Sequence, residues 1–82
     1  MSGSGAPRKE GGQEMEGFRL VLASSNGDRA GMALELQTAR GEQVADVFEF
    51  EDSGRRTVRF FTDADVPLDV VEWLLAEART RL

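Results

Sequence analysis

From Gly17 onward the chain alternates between apolar and polar positions. Phe18, Leu20 and Leu22 face one way over residues 17–23, with Arg19, Val21 and Ala23 between them. Met32, Leu34 and Leu36 repeat the pattern over residues 32–38, and Val44, Asp46, Phe48 and Phe50, then Val58 and Phe60, continue it over residues 44–62. In an extended chain successive side chains point to opposite faces, so these runs predict four half-buried strands. After Pro67 the period changes. Leu68, Val71, Leu74, Leu75, Ala78 and Leu82 recur at three- and four-residue spacing, which predicts a helix over residues 68–82 with this set as its buried stripe. Val66 precedes the proline and is steered away from helical angles, making it the expected N-cap and Pro67 the first helical residue.

The turns between the runs set an expected register. Ala39-Arg40-Gly41 and Asp52-Ser53-Gly54 each read as a three-residue hairpin loop with glycine in the left-handed position. The first loop pairs Thr38 with Glu42, and hence Leu36 with Val44, Leu34 with Asp46 and Met32 with Phe48. The second pairs Glu51 with Arg55, and hence Phe48 with Val58 and Asp46 with Phe60. Asn26-Gly27 marks the remaining hairpin, with Leu22 expected opposite Met32. Even-numbered residues then share an inner face under the helix. Arg19, Val21, Ala33, Ala45, Val47, Thr57, Arg59 and Phe61 share an outer face. The expected fold is α+β: a four-stranded antiparallel β-meander with one C-terminal α-helix packed on one face (ββββα). Residues 1–16 hold almost no apolar side chain and are expected to form a disordered tail; residues 17–82 form the single ββββα domain.

Composition narrows the chemistry. The 82 residues contain no cysteine and no histidine, which removes thiolate chemistry and the commonest general base and metal ligand. The net charge is −5, unfavourable for non-specific nucleic-acid binding. No apolar run approaches the roughly 20 residues of a membrane span, and the N-terminus lacks a signal-peptide core, so a cytoplasmic, soluble chain is the expectation. The glycines and serines of residues 24–31 fit no phosphate-binding fingerprint. No catalytic, cofactor-binding or metal-binding residue emerges, and the chain is read as a non-enzyme.

Three features carry candidate chemistry. Asp46 falls on the expected inner face, where an unpaired carboxylate costs several kcal/mol, unless a bulge within residues 44–48 turns it outward or a nearby arginine or backbone donor pairs with it. Asp63, Asp65 and Asp69 form an acidic cluster that suits a helix N-terminus as well as a cation. Trp73 falls in the middle of the polar arc of the helix, flanked by Val70. An exposed tryptophan there is a candidate binding anchor, unless it leans onto a sheet edge or the tail folds over it. The candidate interaction surface is therefore Trp73 with Val70, and the outer-face set Val21, Val47, Phe61, Arg19 and Arg59.

The order of four strands followed by a helix resembles the architecture of the PC4-like single-stranded-DNA-binding cofactors, in topology alone. That resemblance implies a single-stranded nucleic-acid partner, and the outer face, read from its residues, offers either a dimer interface or a groove with Arg19, Arg59 and a stacking Phe61 for such a strand. The residues themselves favour a small protein–protein interaction module, self-associating as a homodimer or serving another protein.

Overall fold

Each alternating run does form a strand. The computed structural model describes residues 14–25 and 30–82. In it β1 (Glu14–Met15), β2 (Phe18–Ser25), β3 (Gly31–Thr38), β4 (Gln43–Phe50) and β5 (Arg56–Phe60) make one antiparallel sheet in sequence order, followed by α1 (Leu68–Arg81). The fold is α+β, with five strands where the pattern gave four. The added strand, β1, joins β2 through Glu16 and Gly17, whose φ values of 52° and 84° are both positive, as a two-residue type I′ turn demands. The turn expected at Asn26-Gly27 and the first 13 residues of the expected tail lie outside the described residues.

The register departs from expectation in three places, and the departures interact. Leu22 pairs with Leu34, not Met32; a slip of two residues leaves the faces unchanged. The loop at Ala39-Arg40-Gly41 forms as read, with the Thr38 N–H donating to the Glu42 carbonyl and Gly41 at φ 92°. Immediately beyond it a bulge sets Leu36 opposite Ala45 rather than Val44. Val44 becomes the extra residue, and every later side chain of β4 moves to the other face. The next loop then holds four residues instead of three. The Phe50 N–H donates to the Arg55 carbonyl, and the Gly54 N–H to the Phe50 carbonyl. Asp46 therefore pairs with Arg59, Val47 with Val58 and Phe48 with Thr57. The two one-residue shifts cancel: β2, β3 and β5 keep their expected faces and β4 alone is inverted. Phe48 and Phe60 consequently lie on opposite sides of the sheet.

The inversion repairs the core. Ala45 and Val47 turn inward and join Val44, Leu20, Leu34 and Leu36 beneath Val70, Leu74 and Ala78 of α1, while Asp46 leaves it. The helix is also rotated. Its buried residues are Val70, Leu74 and Ala78, a stripe turned by roughly 65° from the leucine-rich one at 100° per residue. Leu68 and Leu75 are exposed as a result. The N-cap is Pro67, one residue later than expected, and its carbonyl accepts from the Val70 and Val71 N–H groups. Asp69 in the first turn lies beside Glu16, while Leu75, Ala78 and Arg79 reach over Val47 and Val58. The helix thus crosses the sheet from the β1 corner toward β5.

Candidate interaction surfaces

On the outer face the bulge places Asp46 between Glu35 on β3 and Arg59 on β5. The residue is only 1% exposed. Arg59 holds it in a fork: Nε donates to Oδ1 at 3.2 Å and Nη2 to Oδ2 at 2.7 Å. The hydrogen bond to Asp46, against the smaller opposing effect of burial, holds the Arg59 guanidinium above its usual pKa. The same guanidinium lies 5.0 Å above the Phe61 ring. Beside this pair the Gln37 amide donates to Glu35 Oε1 at 3.0 Å and accepts from Arg19 Nη2 at 3.3 Å. Both routes by which Asp46 escapes an unpaired burial, a bulge and an arginine partner, are therefore taken together.

Of the surface read from sequence, Arg19, Val21, Arg59 and Phe61 do share the outer face. Val47 and Val70 leave the outer face and the helix's polar arc: both are buried, Val47 through the inversion of β4 and Val70 through the rotation of the helix. Trp73 is half-buried against the core with Met15, Phe18, Val66 and Leu82, the alternative in which it leans onto the sheet. It lies on the opposite side of the sheet from Arg59. The outer face gains Phe48 instead, nearly buried, with its ring edge-on to Phe50 at 5.0 Å.

A different apolar surface appears at the β5 side of the inner face. Val58 is 47% exposed and Phe60 50% on β5, and Leu75, 40% exposed, reaches over Val58 from the helix. Val47, Val58, Leu75 and Ala78 line a groove of about 230 Å³ there, closed by Arg56 and Arg79. One helix about 10 Å wide covers roughly two strands spaced near 4.8 Å, and α1 lies over β3 and β4. Sequence reasoning missed this surface, although one signal was available: β5 ends the meander, so its inner side chains sit at a sheet edge.

Among the described residues the backbone of that edge is open as well. Arg55 and Phe61 face β4 through their hydrogen bonds to Phe50 and Val44. Antiparallel ladders alternate, so Arg56, Val58 and Phe60 direct their N–H and C=O groups away from β4. Charge on the edge is largely internal. Arg56 Nε meets Glu49 Oε2 at 3.1 Å, as Arg59 meets Asp46.

The acidic residues around the start of the helix, Asp63, Asp65 and Asp69, are exposed. Among the described residues no group of three or more acidic side chains comes together in a way that would hold a metal ion. No helix among them is long and apolar enough to cross a membrane. No protein family, curated protein or solved structure matches the chain.

Proposed function

We propose that the chain is a small protein–protein interaction module with no catalytic chemistry of its own, working in the cytoplasm and binding through the β5 side of its inner face. The observation that carries this is the helix orientation. Turning α1 by one residue's worth of angle would bury Leu75; instead it stands open over half-exposed Val58, with Phe60 equally exposed two residues further along β5. Burying such a strip against a partner is worth about 25 cal/mol per Å² of apolar surface, and contiguous exposed patches of this kind mark binding sites.

The alternative, a single-stranded nucleic-acid binder on the outer face, has an exposed Phe61 in its favour. Its arginines are already engaged, Arg59 by Asp46 and Arg19 by Gln37, and Glu35 lies between them. Two variants separate the readings. Phe60→Glu alters the inner strip and Arg19→Glu the outer face. The module reading expects a protein retained from host extract by wild type and by Arg19→Glu, lost with Phe60→Glu, and binding the purified chain in the same order. It fails if wild type neither self-associates nor retains any protein that Phe60→Glu releases. Oligonucleotide affinity that falls steeply with salt and is lost in Arg19→Glu would favour the alternative instead.

A further inference from the structure

Resting on that reading, we infer that the occupant of the β5 edge is a second copy of this chain, added antiparallel to β5 so that two five-stranded sheets become one. β5 is an edge strand with no proline and no bulge, two of the devices that keep such strands from pairing; a third, charge, is present as Arg56 and Arg59 but is neutralised within the chain. The phase of its hydrogen bonds is self-complementary. Val58 is the middle residue of Arg56–Phe60, and its N–H and C=O point outward. A two-fold axis at Val58 therefore pairs Val58 with itself and Arg56 with Phe60 in both directions, giving about six inter-chain N–H···O bonds in the alternating antiparallel pattern. An edge whose middle residue faced β4 would close about the same axis with about four bonds instead.

Side chains and charge agree with this choice. On the inner face the two Val58 side chains meet at the axis, and each Phe60 ring lies beside an Arg56 guanidinium of the other copy. The axis continues the apolar groove of one copy toward that of the other. On the outer face Thr57 pairs with Arg59 of the second copy. Thr57 Oγ1 is buried without a hydrogen-bond partner, and Arg59 uses only Nε and Nη2 on Asp46. Each seam arginine, 56 and 59, brings its own carboxylate, Glu49 and Asp46, so two copies meet without the repulsion that bare arginines would cause. The same internal pairing leaves little for an acidic peptide to recognise. Residues 1–13, MSGSGAPRKEGGQ, are too polar to fill the groove. The strip and seam together offer on the order of 500 Å² per copy, short of the roughly 800 Å² of a standard interface. The expected dimer is accordingly weak, with a dissociation constant on the order of 10 µM.

Sedimentation velocity on the full chain, from well below to well above that concentration, tests the inference. Wild type is expected to pass from monomer to dimer. Val58→Pro removes one outward N–H and no bond to β4, a substitution that edge strands accept, and is expected to stay monomeric with unchanged Trp73 fluorescence. Phe60→Glu is expected to do the same, and serves if the proline variant misfolds. Amide exchange at Arg56, Val58 and Phe60 is expected to slow with concentration in wild type. A wild-type chain that stays monomeric at every concentration overturns the inference, as does a folded Val58→Pro that dimerises as wild type does. A monomeric chain that still binds another protein through Phe60 retires self-pairing and keeps the module; one that binds nothing retires both.

Discussion

Removing the Arg59 guanidinium is the sharpest test of the structure's most unusual pair. In Arg59→Met the aliphatic stem remains, but the Asp46 carboxylate, 2% exposed as a side chain, loses both of its hydrogen bonds and stays beside Glu35. Breaking a fully buried ion pair by deleting one partner costs roughly 3–5 kcal/mol. The Arg59 side chain is 40% exposed, so water reaches the gap and the expected loss is smaller, about 2–3 kcal/mol. Part of that loss is the stranded charge, so Asp46→Asn added to Arg59→Met should recover about 1 kcal/mol, although Asp46→Asn alone destabilises. Urea unfolding followed by Trp73 fluorescence reads these differences. With a slope of about 1 kcal/mol/M for a domain this small, Arg59→Met moves the midpoint down by roughly 2–3 M. A shift below about 0.5 M, or a double variant no more stable than Arg59→Met, would refute the claim that Asp46 is buried and held by this arginine.

Other substitutions probe other levels. Leu74→Ala removes a fully buried side chain and should cost about 3 kcal/mol, while Leu75→Ala, half in water, should cost under about 1 kcal/mol; equal losses in thermal unfolding of the monomer would put the helix in the wrong rotation. A Cβ on Gly31 would run into the Glu49 carbonyl oxygen and come within 2.8 Å of Phe48 Cε1, so Gly31→Ala should cost more than about 3 kcal/mol, and a near-native melting temperature would contradict the close approach of β3 and β4. Glu16 holds a left-handed conformation with its carboxyl beside Asp69. Asn-Gly is the preferred type I′ pair, so Glu16→Asn should raise the melting temperature at neutral pH. The hydrogen bond and charge of Asp69 raise the Glu16 pKa above 4.5. The folded state therefore binds that proton more tightly, and stability falls as pH rises through the raised value. The advantage of Glu16→Asn should shrink in melts below pH 4.5, leaving only the turn contribution; an advantage that grows toward acid would reverse the sign of the Asp69 effect.

Much of this molecule was legible in its residues. Period-two alternation gave the β2, β3 and β5 faces, Gly41 and Gly54 gave the positive-φ turn positions, and the change of spacing after Pro67 gave the helix. Asp46 flagged its own anomaly: a carboxylate in an apolar row signals that a strand is out of phase. Placing the phase change needed tertiary structure. Putting Val44 into the ladder as an extra residue inverts β4, which buries Ala45 and Val47 and delivers Asp46 to Arg59. A four-residue loop then restores β5, and each shift is favourable only in the presence of the other. The helix was subject to the same limit. Its sequence favoured a stripe through Leu68 and Leu75, but the sheet selected Val70, Leu74 and Ala78 for contact. Local sequence thus set element type and turn chemistry, because those depend on backbone sterics and nearest neighbours. Register, helix rotation and the open β5 edge were decided by packing one curved sheet under one narrow helix, a balance summed over residues far apart in the chain.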